Sequence, residues 1–450
     1  WFRKISSLEE SLSTDLSNTG KDAFYEIGDM LYVKHEQIER LLREKTKHLF
    51  PYTDSIYLYD LANTYFESSK PNSHLCFFGK SKEKRYDCPL VTLALVVDQH
   101  GFPLYSRIYK GNQSEPLTLE ATLEKVYNES DSFFNYLEKP SIAMDRGIAT
   151  KENIAYLKAH EYSYFVIERR DVAKAYKEES STIMENGKLH KTSSGKLVYL
   201  KREQENDFTR VLVYSEGKAQ KERAIVGTKE SRYLEDIQKL ITSNLNGNIK
   251  DIMKIQRRIG RIQERYGAIS SLYDISLERE KSNKKYVSKI QLTRKNPQEK
   301  RVKKDELAGC YVIETDRINL SEEEIWGFYM KLSEVESAFR SLKSDLGTRP
   351  VYHQKDKRIE SHLFISVMSY SILNSIIYSL NLKGYHKSWQ TILFNLKNHM
   401  RSTTIQKSKS GDIYNIRGSG IPEKDAKEIY ELLNIPIKTN RKIKKQIIHL

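Results

Sequence analysis

"SIAMDRGIATKENIAYLKAHEYSYFVIE", residues 141–168, reads as a strand, a turn, a helix and a second strand. The apolar run "SIAM" ends in Asp145, and "RGIAT" has the composition of a loop. Thr150 stands where an N-cap belongs, one residue before "KENIAYL". "YSYFVIE", residues 162–168, is aromatic and β-branched, as strands favour. A strand, a helix and a strand in this order predict an α/β sheet.

Upstream, "SIYLYD" (55–60), "PLVTLALVVD" (89–98) and "FPLYSRIY" (102–109) read as strands. The last two are joined by "QHG" and should form a hairpin. A helical stretch near 116–127 follows. Three strands, helix, strand, helix, strand is the order of a ribonuclease H-like core, so the expected fold is α/β with a mixed sheet. Asp60 and Asp145 each close a strand, where a carboxylate projects into the crevice in which open sheets bind ligands.

Between 170 and 318 the pattern changes. "KLVYLKRE", "TRVLVYSE", "KKYVSKIQL" and "AGCYVIETD" read as strands around a basic helix, "IMKIQRRIGRIQERYG". This segment is expected to be a long, largely β insertion before a helix at 322–347. Ser321 and Glu324 fit a capping box for that helix, with Glu322 and Glu323 at the positive end of its dipole. Leu332, Val335, Phe339, Leu342 and Leu346 form its apolar stripe. Tyr329, Glu336 and Lys343 lie seven apart, about two turns each, along one line beside it. Pro350 is expected to end the helix. Glu334, nearby, reads as a surface charge.

The 450 residues carry 75 Lys+Arg against 60 Asp+Glu, a formal charge of +15, which favours a polyanionic partner such as nucleic acid. Cys76, Cys88 and Cys310 include no CxxC pair, so neither a zinc knuckle nor a disulfide framework is supported. The start has no initiator Met and no apolar run of signal-peptide length, and it reads as a truncated beginning. "HLFISVMSYSILNSIIYSL", 362–380, is interrupted by Ser, Asn and Tyr and reads as a buried helix rather than a membrane span.

Alone, Glu336 is one of 60 acidic residues and reads as a solvated charge. Two strand-end aspartates change that reading, because three carboxylates can hold two divalent ions about 3.5–4 Å apart, as phosphoryl transfer requires.

The blocks "LYDLANTYFES", "GKSKEKRYDCPLVTLALVVDQHGFPLYSRIYKGNQSE", "SIAMDRGIATKENIAYL" and "YMKLSEVESAFRSLKSDLGTRPVYHQKDKRIESHLFI" resemble bacterial insertion-sequence DDE transposases, over roughly 35–380. They are most similar to the IS-four group with its Tyr, Arg, Glu, Lys signature. The resemblance implies Asp60, Asp145 and Glu336 as catalytic and metal-binding residues. It implies two Mg²⁺ ions, with Mn²⁺ able to substitute. Tyr329 and Lys343 match the signature, and Arg340 and Arg349 join them as candidate DNA contacts. The signature's Arg falls on Leu332, so a neighbour such as Lys331 or Arg340 would have to supply its contact.

The implied activity is cleavage at transposon ends and transfer of the 3′-OH into double-stranded target DNA, by way of a hairpin or directly. A homodimer in a synaptic complex, in the bacterial cytoplasm and away from membranes, is implied too. A hydrolytic nuclease of the same fold and a non-catalytic, domesticated DNA-binding derivative are the alternatives. The expected organisation is a helical linker or remnant of a DNA-binding region (1–50), the first part of the core (51–169), the insertion (170–318), the last part with the catalytic helix (319–400) and a basic C-terminal region (401–450). Arg257, Arg258, Arg261 and Arg265 read equally well as phosphate contacts or as a solvated helix face.

Overall fold

The computed structural model describes residues 19–51, 56–67, 72–80, 87–128, 140–168, 176–192, 195–281, 283–295, 307–348, 351–409, 413–437 and 442–446. The fold is mixed α/β, and the chain divides into two compact units. One comprises residues 1–143, 150–156 and 331–450, and the other 144–149 and 157–330.

In the first unit, β1 (Ile56–Tyr65), β2 (Leu90–Asp98), β3 (Pro103–Lys110) and β4 (Ser141–Met144) are ordered β3-β2-β1-β4. The expected hairpin is present, with β2 and β3 antiparallel and Val96 opposite Tyr105. Its turn is built by Asp98, which is fully buried and accepts hydrogen bonds from the backbone N–H groups of His100 (2.8 Å) and Phe102 (3.0 Å). Gly101 supplies the φ of +81° that this turn needs. Every residue of β2 is buried, so the strand is covered on both faces.

Alternation along β1 separates those covers. On one face, the Tyr59 hydroxyl donates to Thr118 Oγ1 (2.7 Å), in the short 3₁₀ turn that leads into α3 (Leu119–Asn128), and Asn63 Nδ2 donates to Thr92 Oγ1 (3.0 Å). The opposite face, carrying Leu58, Asp60, Ala62 and Thr64, is left for other elements. The helix read after Thr150 is α4 (Lys151–Ala159), and the Thr150 Oγ1 accepts from Asn153 N at 3.2 Å, as an N-cap should.

The single helix expected at 322–347 is two, named in chain order α8 (Glu322–Met330) and α9 (Leu332–Ser344), interrupted at Lys331. The capping box is as read: Ser321 N and Oγ donate to Glu324 Oε2, and Glu324 N donates to Ser321 Oγ. Leu332, Val335, Ala338, Phe339 and Leu342 are the buried stripe of α9, which packs against β1 and β2. Leu346 lies beyond the helix and is only half-buried. The stop is Gly347, with φ +62°, rather than Pro350, which falls outside the described residues.

The apolar stretch around 362–380 belongs to α10 (Asp356–Leu382). This helix is long and apolar enough to cross a membrane, yet it packs against β3, α9 and the N-terminal helices α1 (Lys21–Val33) and α2 (His35–Leu49), burying Leu363, Phe364, Val367, Tyr370 and Leu373. Further on, α11 (Trp389–Lys397) and α12 (Lys424–Leu432) join the end of α10 through Ile392, Ile429 and Leu380. β12 (Arg401–Lys407) and β13 (Ile413–Ser419) form an antiparallel pair, with β14 (Lys442–Gln446) beside them.

The second unit contains β5 (Tyr164–Ile167), β6 (Lys188–Lys191), β7 (Leu197–Gln204), β8 (Thr209–Ser215) and β11 (Cys310–Thr315), ordered β5-β11-β8-β7-β6. Arg210 on β8 donates through Nε and Nη2 to Glu314 Oε2 on β11 (3.1 and 2.9 Å), which gives a half-buried charge a forked partner. α5 (Lys177–Asn186) covers this sheet through Ile183, Leu212 and Val312.

The segment expected to be largely β is not. Its longest described elements are helices, α6 (Glu216–Leu245, 30 residues) and α7 (Ile252–Ser270, 19 residues), which pack together and against the hairpin of β9 (Tyr273–Arg279) and β10 (Val287–Arg294). α6 is rich in Ala, Glu, Lys, Gln and Leu, residues that lose little by becoming helical. Tyr233, Ile237, Leu240 and Asn244 repeat every three or four residues along its buried side. Cys76, Cys88 and Cys310 are free thiols.

Candidate active site

Asp60 is not at a strand end. It sits within β1, which continues to Tyr65, and it pairs across the ladder with Leu95. The strand persists because its polar residues are partnered, Asn63 by Thr92 and Thr64 by the chain near Thr348. The Asp60 side chain is half-buried, and its Oδ1 accepts from Leu61 N at 2.7 Å.

Asp145 is at a strand end, as read. It directly follows β4, is exposed, and accepts from Arg146 N through Oδ1 (2.8 Å), while its backbone carbonyl accepts from Ile148 N and Ala149 N. These bonds fold "DRGIA" into a tight turn.

Around α9 the spacing of three and four makes three stripes. The buried one faces the sheet. Glu336, Arg340 and Lys343 share a second flank, on which Glu336 and Arg340 are exposed and Lys343 is half-buried. Tyr329 is on α8, in the second unit, and its ring lies 6.1 Å from the Tyr311 ring. Leu332, at the signature's Arg position, is buried as expected. Of its two possible substitutes, Lys331 is partly desolvated, and burial lowers its pKa while Asp98 acts in the opposite direction. Arg340 is exposed on the flank of Glu336. Arg349 lies outside the described residues.

The third flank carries Glu334, Ser337 and Ser341. Together with His100 from the hairpin turn and Tyr370 and Tyr378 from α10, they line a cavity of about 230 Å³. Glu334 keeps surface in solvent, but desolvation at the cavity wall raises its carboxyl above the usual range. Glu334 is exposed, as read, and it also lines this cavity, which a one-helix pattern has no means of revealing.

The structure places Asp60 and Glu336 on packed elements of the first unit, and Asp145 and Tyr329 in the second. Carboxylate oxygens are the donors that hard divalent cations prefer. Among the described residues, no group of three or more His, Cys, Asp or Glu side chains is assembled to hold a metal ion.

The family model described as the transposase DDE domain matches residues 68–372. That span includes Asp145, Glu336, Arg340 and Lys343 and begins after Asp60. Comparison with curated proteins finds none that matches the chain. DDE transposases act on DNA and generally use divalent metal ions. With more than half of its length covered by that model, this chain belongs to the transposase DDE domain family.

Proposed function

We propose that the protein is a DNA transposase of the IS-four group, with a ribonuclease H-like core, that cuts strands at the ends of a mobile element and joins the freed 3′-OH to double-stranded target DNA. Membership of the DDE family carries the reading. Asp60, Asp145 and Glu336 are its catalytic residues, and their carboxylates hold two Mg²⁺ ions, for which Mn²⁺ substitutes. When bound, such ions lower the pKa of an attacking water and offset charge on the leaving 3′ oxygen.

The chain's own groups orient the DNA. Arg340 and Lys343, on the flank of Glu336, hold phosphate oxygens beside the cut, Arg340 through a planar fork and Lys343 as a point charge. Arg349 is a further DNA contact in this reading. Tyr329 serves the DNA from its own site near Tyr311 or serves only packing. On α7, Arg257, Arg258 and Arg261 are exposed opposite the buried Ile255 and Ile259, and they track phosphates; Arg265 is engaged with Asp236 at 3.2 Å. Because two element ends must be joined, the working form is a homodimer on DNA in the bacterial cytoplasm.

The test is a joining assay. A labelled duplex bearing the element's terminal sequence, already cut to expose its 3′-OH, is incubated with the protein, Mg²⁺ and a target plasmid. Covalent insertion into the plasmid is expected. With an uncut duplex run in parallel, cleavage of its ends without joining of the precut one would make the protein a nuclease, and binding without either would make it a non-catalytic derivative.

A further inference from the structure

After the Glu336 helix, the chain is tied to the Asp60 strand at Thr348 and again at Val351. Thr348 is 3% exposed, and both its N–H (3.1 Å) and its Oγ1 (2.9 Å) donate to the carbonyl of Leu342 in the last turn of α9. Its own carbonyl receives the Thr64 hydroxyl of β1 at 3.4 Å, a weak bond by length. Three residues on, Val351 N donates to the carbonyl of Tyr65 at 3.2 Å, so the chain after α9 is attached to the end of β1 twice.

Alternation along β1 puts Asp60, Ala62 and Thr64 on one face of the sheet. Thr64 reaches the segment that closes α9, so Asp60 shares the face to which that segment is fastened. From this tie, Asp60 lies about 13 Å back along the strand, four residues at about 3.3 Å each. Glu336 lies about 9 Å back along the helix from Leu342, six residues at about 1.5 Å each. Both carboxylates are therefore offset from one anchoring point by comparable distances, each on a rigid element.

We infer that Thr348 is a positioning residue, whose double hydrogen bond to Leu342 and link to Thr64 set the helix of Glu336 against the strand of Asp60. The inference rests on the reading of those two carboxylates as metal ligands. Near-ideal octahedral geometry around Mg²⁺ leaves little tolerance for a shift of one ligand against another, and displacements of about 1 Å are enough to impair catalysis. Thr348 touches neither metal nor DNA in this scheme, and it acts only through the two elements it joins. A glycine with positive φ immediately before it lets the chain turn back onto α9 without strain.

The experiment uses Thr348→Val, which keeps the shape and the backbone N–H but removes the hydroxyl, with Thr348→Ser as the rescue. Mn²⁺ binding to the protein is followed by loss of the free ion's paramagnetic signal, and DNA nicking is followed against metal concentration. The expected result is a loss of Mn²⁺ affinity of about tenfold, for a shift of one carboxylate against the other smaller than the ~1 Å that costs about a hundredfold in rate. A matching rise in half-saturating metal for nicking is expected, with both effects reversed in Thr348→Ser. Unchanged metal affinity in a folded Thr348→Val protein would overturn the inference.

Should that variant not fold, Thr64→Val cuts the strand side of the same tie and carries the same expectation and the same refutation. Glu336→Gln separates the two levels of the argument. Full nicking by that variant would overturn the site itself, whereas its loss beside a normal Thr348→Val removes only the positioning role.

Discussion

Asp60 looks like the end of a strand because "DLANTY" holds two polar residues and an Asp immediately after an apolar run. What single residues cannot announce is the partner that allows a polar side chain to remain inside a sheet. Asn63 is 6% exposed and Thr92 2%, and the Asn63 Nδ2 donates to Thr92 Oγ1 across the ladder. The same holds for Glu334, whose cavity is completed by Gln99 and His100 far upstream and by residues between Tyr370 and Asn381 downstream. His362 belongs with them. Its Nε2 is buried without a hydrogen-bond partner among the described residues, and its ring lies 5.0 Å from that of His353. Burial holds its imidazole pKa below 6.5, and a hydrogen bond to the Thr348 backbone opposes that shift. The unfolded chain therefore takes up the proton first, and stability is fully present above pH 6.5 and is lost as pH falls through the folded value. Thermal unfolding from pH 8 to pH 5 is expected to show a smaller drop in Tm for His362→Gln than for the parent; equal drops would show that His362 does not carry the dependence.

At the level of elements, most strands, the β2–β3 hairpin, the Thr150 cap and the capping box at Ser321 are legible in the sequence, since each depends on a local pattern. Two features are not. The long exposed side of α6 hides its buried repeat, and the division between α8 and α9 is hidden because Lys331 itself keeps right-handed helical dihedrals, φ −66° and ψ −17°. Arg340 and Lys343 are the basic members of the Glu336 flank of α9. If both hold phosphates, Arg340→Ala with Lys343→Ala should reduce the slope of log affinity against log salt by about 2 and weaken specific and non-specific DNA alike. A changed sequence preference with an unchanged slope would instead mean that they read bases.

For the whole molecule, the +15 charge and the order of the strands point by themselves toward nucleic acid and an α/β core. The family match accounts for both, and it reaches across both units of the chain. The three carboxylates emerge from spacing and resemblance, and they come from residues 60, 145 and 336, which no local pattern links. Their joint action is the central claim, and it is most directly tested by nicking of an element-end duplex in Mg²⁺ by Asp60→Asn, Asp145→Asn and Glu336→Gln, each compared with the parent for DNA affinity. The account predicts that every variant binds DNA as the parent does and nicks it at least about a hundredfold more slowly, as expected when one member of an electrostatic site is removed. Parent-like nicking by any one of the three would contradict it.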